Sequence, residues 1–130
     1  METMEIEAEV YAGLTGKSEL TSVLAKGADS VFHLQAPSDN QTKYPCIVYS
    51  PISDVPALTG DDKEVAHRVT IRIHIITLTG DYGAIYRQIH NVMEALGFAR
   101  VQTTPYAEDD KKILVCDYRI GVDSTWQRSD

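Results

Sequence analysis

The strongest constraint on the fold is the segment 67–78, in which apolar and polar residues alternate over most of its length. The apolar members are Val69, Ile71, Ile73 and Ile75, and the polar members are Arg68, Thr70, Arg72 and His74. Successive side chains of a β-strand point to opposite sides. The pattern therefore predicts a strand in a sheet with one buried face and one wetter face.

A helical pattern follows directly after a turn at 79–81. Its apolar residues recur every three or four positions: Tyr82, Ile85, Tyr86, Ile89, Val92, Met93 and Leu96. This spacing predicts an amphipathic helix over 82–96 with Asp81 as its N-cap and Gly97 at its end. A helix with one apolar stripe is expected to cover one face of the sheet.

Shorter patterns occur before and after this strand–helix pair. Two short N-terminal helices are predicted, one over 5–14 and one carrying Leu20, Val23 and Leu24 and closed by Gly27. Pro51 and Pro105 lie in or beside further strands and indicate a bend, an edge or an end. The predicted strands are 31–34, 45–52, 98–104 and a last one whose apolar face is Leu114, Cys116, Tyr118, Ile120 and Val122. The segments 53–65 and 106–111 are expected to be a loop and an acidic hairpin turn.

Together these elements predict an α+β fold in one domain, 1–130. It would be a mainly antiparallel β-sheet with one long helix packed on one face and short N-terminal helices, because strands joined by short polar loops favour antiparallel pairing.

The charge balance bears on possible partners. Twelve basic and nineteen acidic residues give a net charge of −7, and no basic cluster occurs, so nucleic-acid contact is not expected. No apolar run is long enough to span a membrane. The first ten residues lack the basic start and apolar stretch of a signal peptide, so a cytoplasmic origin is expected.

No residue constellation indicates catalysis, a metal or a cofactor. The segment 13–18 lacks the first glycine of a phosphate-binding loop, since position 11 is Tyr11, and is better interpreted as a junction between two helices. The four histidines form no metal-ligand pair at close spacing. Cys46 and Cys116 lie in apolar strands, where two buried, unreactive thiols are expected, and a disulfide between them stays open if the two strands are neighbours.

The wetter face of the predicted sheet holds the candidate functional residues. Arg68, Arg72 and His74 share it on the central strand, and Asp117 and Arg119 share it on the last strand. Such a face is either plain solvent-exposed surface or a subunit interface, where arginine is enriched.

The order of these patterns resembles a known family. Tyr44-Pro45-Cys46-Ile47-Val48-Tyr49 is similar to an aromatic–proline box of the phage tail-completion proteins, long described as a domain of unknown function. The segment 20–25, the closing strand 113–118 and the spacing of the long strand and helix extend the resemblance over roughly 10–126. The box departs from the family at Cys46, where an aromatic residue is common.

The resemblance implies a structural virion protein with no catalytic residue. Members close the end of the tail tube and dock it to the head-side connector protein, as homo-oligomeric rings commonly of six subunits. The expected contacts are therefore copies of the chain itself, the tail tube protein and the head-side connector protein. The expected location is the tail of the virion, after assembly in the host bacterial cytoplasm.

A ring needs two complementary surfaces on one subunit. We expect two acidic segments to meet the arginine-bearing face of a neighbour; their acids are Asp61, Asp62 and Glu64, and Glu108, Asp109 and Asp110. Two other functions stay open: a small-ligand-binding module or enzyme of α+β type, and a regulatory interaction domain. The ligand-binding alternative requires a concave pocket with converging ionisable groups.

Overall fold

The computed structural model describes residues 2–37, 42–60 and 63–123. Its helices are α1 (Thr3–Thr15), α2 (Ser18–Thr21) and α3 (Gly83–Ala95), and a 3-10 turn spans Gly27–Ser30. Its strands are β1 (Val31–His33), β2 (Cys46–Gly60), β3 (Lys63–Thr77), β4 (Ala99–Glu108) and β5 (Lys111–Asp123).

The five strands form one sheet in the order β1-β2-β3-β5-β4. Every neighbouring pair is antiparallel except β1 and β2, which run parallel. The α+β, mainly antiparallel fold is thus confirmed. The parallel first pair is compatible with the prediction, which was for a mainly antiparallel sheet. β3 and β4 both run antiparallel to β5, so α3 connects two parallel strands that flank β5.

A single apolar core lies between the helices and one face of the sheet. The alternating residues Val69, Ile71, Ile73 and Ile75 are all fully buried in it, as predicted. Helix α1 contributes Ile6, Val10 and Leu14, and α3 contributes Ile85, Ile89, Val92 and Met93. Burial of one such side chain contributes about 1.5–3 kcal/mol to folding, so the stripe on each helix is enough to hold it on the sheet.

The two main helices have the same length, 13 residues each, so the expected contrast between one long helix and short N-terminal helices is not found for α1. Tyr82, rather than the predicted Asp81, is the N-cap of α3, and its side chain makes no capping bond. Gly97 closes α3 as predicted: it has φ 97°, and its N–H donates to the Glu94 carbonyl. The helices approach closely at Gly13, where a Cβ atom would lie 2.9 Å from Val92 Cγ1.

The second predicted helix is much shorter than expected. Helix α2 ends at Thr21, and Val23, which was predicted on its apolar face, is partly exposed. The Ala25 N–H donates to the Pro45 carbonyl, which draws the chain away from the helix axis and toward β2. Gly27, with φ 59°, begins the 3-10 turn instead of closing a helix. The junction between two helices at 13–18 is confirmed.

The predicted loop at 53–65 is wrong. Strands β2 and β3 continue through most of it as an extended hairpin, with register shifts after Pro51, Pro56 and Leu58. Such bulges accommodate extra residues and the prolines that cannot donate to a regular ladder. The bend at Pro51 is therefore present, but the strand goes on beyond it.

Strand β4 also continues past its predicted end. It runs through Pro105 to Glu108, and only Asp109 and Asp110 form the turn to β5. Because β4 is the edge strand of the sheet, the missing N–H of a proline can be tolerated there.

Candidate assembly surface

The sheet face opposite α1 and α3 carries the predicted candidate residues. Residues that pair directly across antiparallel strands point to the same side. Arg72 pairs with Asp117 and Thr70 pairs with Arg119, while the alternate residues of both strands are in the core. We call this side of β2, β3, β5 and β4 the open face, because no helix of the described residues packs on it.

A hydrogen-bonded ion pair lies in the middle of the open face. The Arg72 guanidinium donates from Nε to Asp117 Oδ1 at 2.9 Å and from Nη2 to Oδ2 at 3.0 Å. Gln102 on β4 donates a third bond to Oδ2 at 2.8 Å. The Asp117 side chain is only 3% exposed, against 36% for Arg72. These bonds, the one from Arg72 first, hold the pKa of Asp117 below its usual value, so the pair is ionised at pH 7.

His74 lies on the same strand, two residues beyond Arg72. Its Nδ1 atom is buried and has no hydrogen-bond partner among the described residues. Burial, followed by the charge of Arg72, lowers the pKa of His74, although Asp117 and Glu108 oppose the shift. The ring is therefore neutral at pH 7, and it leaves one polar atom unsatisfied in the open face.

Apolar side chains surround these polar groups. Cys46, Val48 and Ile113 are buried on the open face even though no helix covers it. Val55, which pairs with Arg68, and Tyr106, which pairs with Ile113, are large and exposed. Ile52 and Val101 are the extra residues of bulges in β2 and β4, and both are exposed. The open face is thus less polar than the sequence predicts.

The structure brings five of the predicted residues together: Arg68, Arg72, His74, Asp117 and Arg119 all lie on the open face. Glu108, which was expected on an opposing acidic surface, also lies there. Burial first and the charge of Glu108 second raise the pKa of Tyr106. Asp109 and Asp110 form the exposed β4–β5 turn, where Asp110 approaches Lys111 at 3.5 Å. Asp61 and Asp62 lie outside the described residues, and Glu64 pairs with Thr59 while its side chain is not described.

Sequence reasoning missed two polar contacts. One is the bond from Gln102 to Asp117, since Gln102 lies in a predicted strand whose pairing partner the sequence did not specify. The other lies on the helix side of the sheet, where Asp54 Oδ1 contacts His67 Nδ1 at 2.6 Å and Oδ2 accepts from the Thr3 hydroxyl. This contact ties the start of α1 to the β2–β3 hairpin. Its members lie far apart in the sequence, so no local pattern signals it.

No catalytic arrangement is evident in the part of the chain that the structure describes. Cys46 and Cys116 are both buried and unpaired, and burial raises the pKa of the two thiols to about 11 and about 12. Among residues 2–37, 42–60 and 63–123, no group of three or more acids, histidines or cysteines is placed to hold a metal ion. No helix in these ranges is long and apolar enough to cross a membrane.

A groove of about 400 Å³ lies at the end of the sheet, beside α3. Val23, Pro45, Leu78 and Ile85 make its wall largely apolar, and Asp81 is its only carboxylate among the described residues. It does not hold the converging ionisable groups that the ligand-binding alternative requires.

The fold and its surface define a class of protein: a two-layer α+β domain whose most distinctive surface is an uncovered sheet face. The comparison with protein families agrees with this class. The chain belongs to the family of the tail completion protein gp17, whose model matches residues 8–126, nearly the whole chain. It is therefore a component of a phage tail with a structural role. No curated protein matches the sequence.

Proposed function

We propose that this protein closes the end of the phage tail tube and joins it to the head-side connector as a homo-oligomeric ring. Six is the number of subunits expected from the family resemblance. Membership of the tail-completion family supports a structural role in the virion. The observation that carries the proposal is the open face, on which the exposed Arg68 and Arg119 lie beside the exposed apolar Val55. Arginine and apolar side chains with a central buried pair are typical of protein interfaces.

The open face supports a ring rather than a closed dimer. A two-fold contact centred on Arg68 and Arg119 would bring these arginines against the same arginines of the other copy. Like charges brought together at an interface oppose binding. A heterologous contact, in which the open face meets a different surface of the next copy, avoids this repulsion and produces a ring if the rotation closes.

The β4–β5 turn is a second proposed contact surface. Its acids are exposed at one end of the sheet, so they are available to the tail tube protein, to the head-side connector or to a neighbouring copy. In this proposal the turn sets how the ring is oriented relative to its partners. Assembly takes place in the host bacterial cytoplasm before the virion is complete.

Electron microscopy of tails tests the proposal directly. Purified tail tubes that lack this protein would be mixed with it and then with heads that carry the connector. We expect extra ring-shaped density at one end of each tube and joined particles after heads are added. Binding along the sides of the tubes, or none at all, would contradict the proposal.

A charge reversal tests the acidic turn. Asp110→Lys changes an exposed side chain, while Asp109, whose φ is 56°, should be left in place because few residues accept that conformation. We expect a folded protein that joins heads to tails less efficiently. Glu94→Lys, an exposed reversal on α3, serves as the control. If Asp110→Lys and Glu94→Lys join heads to tails equally well, the turn is not a contact surface.

The alternative of a ligand-binding module or enzyme has less support. The groove beside α3 has the volume for a small molecule but only one carboxylate among its described lining residues. A regulatory interaction domain would share the open face but would not bind one end of a tail tube, so the microscopy separates it from the proposal.

A further inference from the structure

Helix α1 has a second apolar surface that the fold leaves uncovered. Ile6, Val10 and Leu14 form its buried row, four residues apart. On the opposite side, Met4, Ala8 and Ala12 form an exposed row at the same spacing. Met4 is 73% exposed, and the nearby Tyr11 is 44% exposed. A surface helix in a monomer is normally polar on this side, so the outer row of α1 is suited to a further contact.

The outer side of α1 is also acidic. Residues 2–15 contain Glu2, Glu5, Glu7 and Glu9 and no basic residue. Glu7 contacts His33 on β1, whereas Glu5 and Glu9 are exposed beside the apolar row. We call the surface formed by Met4, Glu5, Ala8, Glu9 and Ala12 the outer α1 face. It combines small apolar contacts with unopposed negative charge.

The open face offers the complementary chemistry. Arg68 and Arg119 are exposed and make no ion pair among the described residues, and Val55 lies next to Arg68. Gly121 pairs with Arg68 on the other side and leaves open space where a Cβ atom would lie. Asp123 lies at the same end of the open face, where Arg68 and Arg119 outnumber it, and Glu108 lies at the other end.

Charge limits how copies of this chain can meet. Copies with a net charge of −7 repel each other at long range, so a stable contact must place positive groups against negative groups. An α1-to-α1 contact would oppose glutamates to glutamates, and a two-fold contact of open faces centred on Arg68 and Arg119 would oppose arginines to arginines. The pairing of an outer α1 face with an open face opposes unlike charges, and the exposed row Met4, Ala8 and Ala12 adds apolar contact.

The two surfaces lie on opposite sides of the molecule. The outer α1 face points away from the core, and the open face is on the far side of the sheet. One subunit therefore cannot bring its own two surfaces together. Two copies joined through them leave one outer α1 face and one open face without a partner. Repetition of the contact produces a closed ring or an open filament.

We propose that the open face is occupied by helix α1 of the neighbouring subunit, so that each sheet is covered by its own helices on one side and by a neighbour's α1 on the other. This inference rests on the proposed ring and names the surfaces that form it. A helix of 13 residues is about 20 Å long, enough to cross the four strands β2, β3, β5 and β4.

Charge exchange between the two surfaces tests the inference on the full chain. Arg68→Glu with Arg119→Glu reverses the open face, and Glu9→Lys with Ala12→Lys reverses the outer α1 face. Glu5 is kept because its carboxylate forms part of the capping box of α1. Sedimentation velocity measures assembly, and circular dichroism checks the fold. Arg87→Glu with Glu94→Lys, both exposed on α3, is the matched control.

We expect each double substitution to raise the apparent dissociation constant at least about tenfold, the equivalent of roughly 1.4 kcal/mol. The four substitutions combined should bring assembly back toward the wild-type value, and the control should not change it. Recovery in the combined variant is decisive. If each double substitution simply damaged its surface, the two losses of assembly would add in the combined variant instead of cancelling.

The outcomes separate the two proposals. If the wild-type protein forms rings and the α1 variant forms them equally well, the α1 contact is wrong and the proposed function stands. Loss of assembly in both double variants without recovery in the combined variant also overturns the α1 contact. A wild-type protein that stays monomeric and does not bind tail tubes overturns both proposals.

Discussion

At the level of single residues, Asp117 combines near-complete burial with three hydrogen bonds from two side chains. Its charge is balanced by Arg72, which is one third exposed and reaches solvent. A buried ion pair adds little stability compared with apolar packing, but the loss of one partner leaves the other uncompensated. The pair therefore fixes the register of β3, β5 and β4 in the middle of the open face.

Asp117→Asn should lower the free energy of unfolding by about 2 kcal/mol, because hydrogen bonds to charged groups contribute roughly 1.5–3 kcal/mol. Urea denaturation at pH 7 measures the change. Arg119→Gln is the control, since Arg119 is exposed and makes only a long bond of 3.4 Å to Thr70. Equal stability of the two variants would show that the central pair is not structural.

The same substitution should change the pH dependence of stability. The folded protein holds the pKa of Asp117 below its unfolded value. Its contribution is therefore fully present above about pH 4, the unfolded pKa, and is lost as the pH falls through the folded pKa. The free energy of unfolding should fall less steeply below pH 4 in Asp117→Asn than in the wild type. Parallel curves would contradict this assignment.

His74→Leu should remove an unsatisfied polar atom at little cost, with a change in the free energy of unfolding within about 1 kcal/mol at pH 8. Since the folded state lowers the pKa of His74, protonation of the unfolded chain destabilises the wild type as the pH falls below about 6.5. The variant should not show this loss of unfolding free energy between pH 7 and pH 5. Denaturation curves at several pH values check it, and an unchanged pH profile would contradict it.

At the level of elements, α1 and α3 are held together by close approach at Gly13. Gly13→Val should destabilise the fold by about 1–3 kcal/mol, the usual cost of overpacking, because the stiff Val92 side chain on α3 cannot move far. Valine has a higher helix propensity than glycine, so a loss at Gly13 reflects the contact, and Ala12→Val on the exposed side of the same helix measures the cost of a valine without that contact. Thermal denaturation compares them, and similar losses in both variants would mean that the contact is loose.

The start of α1 depends on a contact with the β2–β3 hairpin. Burial raises the pKa of Asp54, but the bonds from Thr3 and His67 outweigh it and leave the pKa lowered. Asp54→Ala should increase amide hydrogen exchange in the first turn of α1 while β5 stays protected, because local opening follows local contacts. Unchanged amide exchange near Thr3 would show that the buried row of α1, Ile6, Val10 and Leu14, holds the helix by itself. Thr3→Val, which removes one of the two bonds, should have a smaller effect.

At the level of the whole molecule, the described helices cover one sheet face and not the other. Exposed glutamates lie on α1, and the exposed Arg68 and Arg119 lie on the open face. The proposed contact would cover the open face with a neighbour's α1. Contact between such surfaces combines apolar area with charges that solvent can screen.

Assembly should therefore weaken with salt. The screening length falls from about 10 Å at 0.1 M to about 3 Å at 1 M ionic strength, so attraction between Glu9 and the arginines of a neighbour is reduced. The apparent dissociation constant from sedimentation velocity should rise over this range of sodium chloride. A constant that stays level or falls would indicate an apolar contact in which these charges take no part.

Local periodicity determined the main elements of this protein. The alternation in 67–78 predicted the core face of β3, and the stripe of α3 predicted the helix that covers it, because residues two, three or four positions apart decide which side of a strand or helix is apolar. The same alternation placed Arg68, Arg72 and His74 on one face. Membership of the tail-completion family was also visible in the order of these patterns.

Tertiary structure alone decided the features that depend on distant partners. The parallel pairing of β1, the continuation of β2 and β3 through 53–65 and the passage of β4 through Pro105 follow from ladders between separate strands. The bond from Gln102 to Asp117 and the contact of Asp54 with His67 depend on the strand register. No neighbouring residue specifies such pairings, because their free energy is gained only when segments far apart in the sequence meet.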